Sequence, residues 1–394
     1  MKKILVLNSG SSSLKYQLFN VDGEDYKVVA KGLAERIGID GSKVSIKYAD
    51  GSKKEVSVDL PTHNEALNEV FNLLLDGAIK NLTEITAVGH RIVHGGEIFK
   101  SSVVVDEKAI QEISDLSALA PLHNPAGILG IRAVQKALPN VPQVAVFDTA
   151  FHQTMPKEAF LYGLPLEEYT THHIRRYGMH GTSHRYIAEQ AAKILGNNKK
   201  LIVCHLGNGA SLSAIKDGKC MDTSMGFTPL GGIIMGTRSG DMDPYIPLHI
   251  MKEQGLSVDE MNTFLNKKSG MLGLTGFSDM RDVEASYLKG EQRTIDGLHT
   301  YVYTILKFIG SYIAVLGGVD AIVFTAGIGE NSPIIRKMLI ERLSYLGMKL
   351  DEEANNRRGS WEEITTKDSK VKAFVIPTDE ELMIAQDTVE LTQK

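Results

Sequence analysis

"ILVLNSGSSSLKYQLFNVDG", residues 4–23, starts with four apolar residues and breaks at Asn8 into a Gly-Ser-rich turn. It meets Lys15, resumes an apolar-rich run and closes on Asp22-Gly23. The two apolar runs, 4–7 and 14–19, read as strands joined by the serine turn. Glycine and hydroxyl-rich turns of this kind often cradle phosphate. The G-x-x-x-x-G-K-[ST] pattern with a helix behind it is nevertheless absent.

A second stretch, "LIVCHLGNGASLSAIKDGK" at 201–219, repeats the plan: apolar strand, glycine turn, apolar-rich segment, closing Asp-Gly. Aligned on the first, Asn8 falls on His205 and Gly10 on Gly207. Two such openings, each leading into an α/β region, predict an internal duplication. Around the first, 28–33, 44–47 and 56–58 read as further strands of one sheet. A helix over 64–75 follows, with Leu67, Val70, Phe71 and Leu74 on one face. Strands at 87–93 and 144–147 come next. In the second half, 321–324 and 373–376 read as buried strands. Ile295, Leu298, Val302, Ile305, Ile309, Ile313 and Leu316 make a narrow apolar seam on a long helix. That seam fits a core helix and a subunit interface equally.

The 394 residues suggest two or three domains. Their 43% hydrophobic content is enough for sizeable cores. A net charge of -5 gives no support for a sequence-independent grip on nucleic acid. The apolar run after MKK is too short for a secretory signal. The longest later run, 312–324, is broken by Gly317, Gly318 and Asp320, so no bilayer span is expected. Cys204 and Cys220 form neither a C-x-x-C pair nor a metal tetrad and read as ordinary cytoplasmic thiols.

Four glycine turns follow apolar runs: 8–15, 205–211, "PLGGIIMGTRSGDMDP" (229–244) and "FTAGIGENS" (324–332), the last before a helix expected over 334–346. Such turns let backbone approach an anionic ligand closely. Charged residues sit in unusual places. Arg91 lies in "GHRIVHGGE", Asp148 directly follows a buried run in "VAVFDTAFH", His180 lies in "RRYGMHGTSHRY", and Arg238 sits in a glycine loop. Each alone reads more readily as a structural group. Together they are the parts of phosphoryl transfer: guanidinium and imidazole donors that spread negative charge, and a carboxylate. No H-E-x-x-H or G-x-S-x-G pattern supports a metalloprotease or serine hydrolase. Asp379, Glu380 and Glu381 at a helix start fit dipole complementarity or a Mg²⁺ contact.

These blocks, with "PLHNP" (121–125) and "PTDEEL" (377–382), resemble the acetate kinase family over nearly the whole chain. The resemblance implies an α/β fold of two duplicated actin-like (ribonuclease H-like) domains with an interdomain nucleotide cleft. The domains would be 1–149 plus 381–394, and 150–380, the latter carrying the nucleotide and the dimer interface. It also implies that the 8–15 turn is a hairpin loop, so no helix follows it. Carried over by motif, Asn8 and Glu380 match the Mg²⁺ positions, with Mn²⁺ as a substitute. Lys15, His205, Leu206, Gly207, Asn208, Gly209, Asp279, Met280, Arg281, Gly327, Ile328, Gly329, Glu330 and Asn331 match nucleotide (ATP/ADP) contacts. Arg91 matches the acyl-carboxylate ligand, Asp148 the catalytic carboxylate, and His180 and Arg238 the groups that stabilise the transferring phosphoryl. Val93, Leu122, Met179 and Pro229 match the pocket for the acyl methyl. The implied reaction is in-line transfer of the ATP γ-phosphoryl to acetate by a cytoplasmic homodimer, with neither nucleic acid nor membrane as a partner.

Three departures from the family pattern stand out. Met179 replaces a more usual Phe, Ala326 stands where Gly is usual, and "GFSDMRD" (276–282) is short by one residue and has Met280 for an aromatic. Two rival readings remain: a propionate or butyrate kinase with the same machinery, and an ATP-switched binding module. The latter predicts a substrate-peptide domain or interaction tail, and none is evident after residue 388.

Overall fold

Residues 4–7 become the middle of a sheet. In the computed structural model, which describes residues 2–121 and 123–393, the chain divides into two units. One is Met1–Phe151 with Asp379–Lys394, the other His152–Thr378. The divisions at 151/152 and 378/379 differ from the sequence boundaries of 149/150 and 380/381. Glu380 therefore belongs to the first unit. The reason is packing: Asp379 caps the helix Glu380–Thr392 by accepting the Leu382 N–H at 2.9 Å, and that helix lies on the first unit's sheet.

In the first unit, β1 (Lys2–Ser9), β2 (Ser13–Asp22), β3 (Asp25–Glu35), β4 (Lys43–Tyr48) and β5 (Lys53–Ser57) form an antiparallel meander. β6 (Ile85–Ile92) runs parallel to β1, and β8 (Gln143–Phe147) runs parallel to β6. β7 (Val103–Val104) is an antiparallel edge on β8. Successive strand residues point to opposite faces. Leu5 and Leu7 therefore join the core under the helix His63–Leu75, while Ile4 and Val6 pack with Ile384, Ala385 and Val389 of the C-terminal helix. Both faces are covered, which is why the central run is apolar throughout rather than alternating.

The second unit repeats this order. β9 (Lys200–Leu206), β10 (Ala210–Lys216) and β11 (Lys219–Thr223) form an antiparallel meander. β12 (Ala321–Thr325) is parallel to β9, and β14 (Lys372–Val375) is parallel to β12, with β13 (Glu362–Glu363) at the edge. The shared core order, third-second-first strand of the meander and then two parallel strands, is the duplication the two hairpin sequences predict.

The long helix is Gln292–Leu316. Leu298, Val302, Ile305, Ile309 and Leu316 of its seam are buried within the second unit, together with Tyr301 and Tyr312. The seam is thus chiefly core, packed on β10. By contrast, the helix Tyr245–Gln254 buries none of its residues and exposes Tyr245, Ile246 and Leu248. A second difference from expectation lies at 326–331. The glycine-rich segment is itself a short helix, Ala326–Asn331, broken at Ser332 before the helix Pro333–Arg342. Among the described residues, no helix is long and apolar enough to cross a membrane.

Candidate active site

In the first unit, three parallel strands end side by side, the usual location of ligand sites in such sheets. Asn8 is near the end of β1, Arg91 near the end of β6, and Asp148 follows β8, its N–H donating to the Ile92 carbonyl at 3.0 Å. Arg91 meets the buried Asp148 side-on, Nε donating to Oδ1 at 3.1 Å and Nη2 to Oδ2 at 2.5 Å. Its Nη1 donates to Asn8 Oδ1 at 3.3 Å. Three of the five guanidinium N–H groups are thereby used, leaving one on each Nη. Glu380, on the first turn of its helix, places Oε2 3.9 Å from Arg91 Nε. Burial raises the Glu380 carboxyl to about 7, with Asp148 and Glu381 adding to the rise and Arg91 and Lys15 opposing it. Lys15 on β2 pairs with Glu381, so it sits with this group. The 8–15 turn is fixed by Gly10 N–H to Ser13 O at 2.8 Å and by His63 Nε2 on the Gly10 carbonyl at 2.8 Å. Val93 follows β6, half-buried; Leu122 lies outside the described residues.

In the second unit the centre forms around His180. This residue caps the helix Gly181–Leu195 in a left-handed conformation, φ 59°. Two residues before it, Gly178 has φ 76°, and a Cβ there would lie 2.3 Å from Thr223 Cγ2. Only glycine fits that approach. The His180 ring stacks on His205 with centroids 4.2 Å apart. Its Nδ1 lies 2.9 Å from Ser211 Oγ. Arg238 converges on the same spot: a Cβ built on Gly209 would be 3.4 Å from Arg238 Nη1 and 3.7 Å from His180 Nε2. The Arg238 guanidinium donates to the Pro229 carbonyl at 3.2 Å and faces Met235 Sδ at 3.7 Å. It pairs with no carboxylate among the described residues, and burial lowers its pKa. Met179, buried, immediately precedes His180 and accepts from His152 Nε2 at 2.9 Å. Met179 and Pro229 thus flank this centre.

Beside the tip of the β9–β10 hairpin lies a cavity of about 690 Å³. Of the expected nucleotide residues, Gly207, Asn208, Asp279, Met280, Arg281, Gly327, Ile328 and Asn331 line it. Leu206 is fully buried in the sheet, and His205 is turned toward Ser183, whose Oγ lies 2.8 Å from its Nδ1. Gly329 packs close to β12: a Cβ there would lie 3.3 Å from the Phe324 carbonyl carbon. The Glu330 side chain accepts the Thr378 N–H at 3.1 Å. Those four, with Gly209, are not among the lining residues. Ala326 keeps a left-handed φ of 64° despite its Cβ. Sequence reasoning missed Ser278, Glu284, Ser332 and Arg358, which also line the cavity. It also missed Ser211 and His184 beside His180. Only the His180–His184 spacing of one helical turn offered a signal for these.

A family model described as the acetokinase family matches residues 3–386. The acetate kinase of Thermotoga petrophila is 57% identical over 402 residues, 100% of this chain and 99% of its own. The crystal structure of Porphyromonas gingivalis acetate kinase matches with a TM-score of 0.96 at 43% identity, covering 100% of both chains. That of a propionate kinase from Francisella tularensis matches at 0.93 and 45%, covering 99% of this chain and 100% of the other. Fold and relatives together define a kinase built from two actin-like α/β domains. The chain belongs to the acetokinase family.

Proposed function

We propose that the protein transfers the γ-phosphoryl group of Mg·ATP to acetate, reversibly, giving acetyl phosphate and ADP. A carboxylate is already a nucleophile at neutral pH, so no strong base is needed. An acetate oxygen forms the new O–P bond as the bond to the ADP oxygen breaks in line, and ADP leaves with the electron pair. The protein's work is to position two anions and spread charge over the equatorial oxygens.

The observation that carries this reading is Arg238, a half-buried guanidinium with no carboxylate partner among the described residues, converging with His180 beside a glycine hairpin. A desolvated cation so placed is suited to a transferring phosphoryl group. Arg91 takes the acetate carboxylate through its two remaining N–H groups, and Asp148 keeps its planar fork oriented. The methyl group is assigned in this reading to the motif positions Val93, Leu122, Met179 and Pro229, carried over from the family pattern. The glycine-walled cavity, with Arg281 and Arg358, takes the nucleotide; its size is ordinary for a ligand of that class.

The residues fit Mg²⁺. Asn8 offers a carbonyl oxygen, and Glu380 offers a carboxyl group whose pKa burial raises, with Asp148 and Glu381 adding to the rise, so a cation bound beside it would favour its ionised form. One or two protein oxygens completed by phosphate and water is the usual Mg²⁺ arrangement. When bound, the metal supplies charge neutralisation on the phosphate oxygens.

Arg238→Lys tests the reading. It keeps the charge but loses the fork, and acetate-dependent ADP release should fall by roughly 10³-fold. Turnover near that of the unchanged protein would remove Arg238 from the role. The similarity to a propionate kinase favours propionate as a second acceptor, since one methylene in an apolar pocket separates the two by only about 10–200-fold. A cytoplasmic location agrees with two free, buried thiols. The protein acts as a homodimer in this reading, and a second copy has exposed apolar side chains available both on the 292–316 helix region that the resemblance favours, Tyr303 and Val315, and on the helix Tyr245–Gln254.

A further inference from the structure

We infer that Ser211 and His184 hold His180 as the neutral tautomer with its proton on Nε2, so that His180 meets the phosphoryl group as a hydrogen-bond donor and not as a cation. The inference rests on the phosphoryl-transfer reading for its consequence, but not for its geometry.

Ser211 Oγ, fully buried on β10, lies between two imidazoles: His180 Nδ1 at 2.9 Å and His184 Nε2 at 2.8 Å. A serine hydroxyl has one proton to give. The far nitrogen of His184, Nδ1, is buried and has no hydrogen-bond partner among the described residues. A proton there would be a buried orphan donor, which folded proteins avoid more strictly than an unfilled lone pair. His184 therefore carries its proton on Nε2 and donates it to Ser211. The surroundings agree, since burial, then His152 and His205, push the His184 pKa well down. Ser211, having accepted from His184, turns its own O–H toward His180 Nδ1. That nitrogen must then be a lone pair, and the proton of neutral His180 is on Nε2, on the side facing Gly209 and Arg238. The opposite sense would leave His184 Nδ1–H unsatisfied. Two donors into Ser211 would leave its hydroxyl proton without an acceptor.

The same wiring opposes an imidazolium at His180, because a proton on Nδ1 would oppose the Ser211 O–H. The groups around it point the same way. The His205 ring is stacked on it at 4.2 Å, Arg238 is beside it, and the His152 and His184 rings lie behind at 5.6 Å from each other. With one full cation already supplied by Arg238, His180 contributes a fixed N–H dipole. Ser211 and His184 are positioning residues.

The test is the nitrogen spectrum of the full chain labelled with ¹⁵N-histidine at pH 7, with His180 assigned from its loss in His180→Gln. A protonated Nε2 and a bare Nδ1 are expected. A proton on Nδ1, alone or with Nε2, overturns the inference. Ser211→Ala should mix the two tautomers and lower kcat roughly 10- to 100-fold, leaving both KM values within about threefold. Ser211→Thr, which keeps the hydroxyl, should restore the tautomer and most of kcat. An unchanged tautomer in Ser211→Ala, or mixed tautomers in Ser211→Thr, would remove Ser211 from the role. The spectrum is read without substrates. A failed tautomer assignment is therefore distinct from failure to make acyl phosphate, which bears only on the function.

Discussion

At the scale of single residues, two ionisable groups make opposite demands, one buried as a charge and one buried neutral. Arg91 has a buried carboxylate to satisfy, so deleting it would strand Asp148 at a cost of about 3–5 kcal/mol. Arg91→Lys avoids this by keeping the charge while losing the fork. It should raise KM for acetate roughly 10- to 100-fold, the worth of a charged hydrogen bond, with KM for ATP little changed. Initial rates with each substrate varied in turn check this; an unchanged acetate KM counts against the carboxylate-binding role. His90 shows the reverse situation. It is buried beside Gln143, with Nε2 2.7 Å from Oε1, and burial pushes its pKa down to about 4 from 6.5. The unfolded chain therefore binds the extra proton first. Stability is complete above pH 6.5 and falls as pH drops toward 4, by about 3 kcal/mol for this one group. Urea unfolding across that window should be flatter for His90→Gln, and equal slopes would contradict the assignment.

At the scale of elements, the hairpins and central strands were legible because both faces of β1 and β9 are buried, leaving continuous apolar runs cut off by glycine turns. The short helix Ala326–Asn331 was not, because its glycines read as a turn; it is packed on β9 as well as on β12, which the local sequence does not show. The paired roles of Ser211 and His184 were illegible for a related reason. They come from β10 and from a helix, and nothing local marks them as partners. Arg358 joins the cavity from a polar stretch with no periodicity at all. The return of the C-terminal helix to the first sheet is also a packing fact, and Gly89 reports on it. A Cβ there would lie 2.3 Å from Thr388 Oγ1 and 2.6 Å from Ile384 Cγ2. Gly89→Ala should push this helix off β6 and destabilise the protein by about 1–3 kcal/mol. Thermal unfolding checks it; an unchanged Tm would mean the helix is looser than its packing implies.

At the scale of the molecule, duplication has given two sheets that share a core order and take two different jobs. The first unit gathers carboxylates around one arginine at its strand ends. The second gathers histidines, an arginine that pairs with no carboxylate among the described residues, and a glycine-walled cavity. The proposed reaction draws on both, with the carboxylate acceptor and metal contacts in one and the phosphoryl and nucleotide contacts in the other. The most direct test is to incubate the purified protein with Mg·ATP and acetate, propionate or butyrate in parallel, and to trap acyl phosphate as the hydroxamate. Acetyl hydroxamate formed fastest, and lost in Arg238→Lys, is the predicted result. ATP bound but no hydroxamate from any of the three acids would contradict the account and leave a nucleotide-switched binding protein in its place.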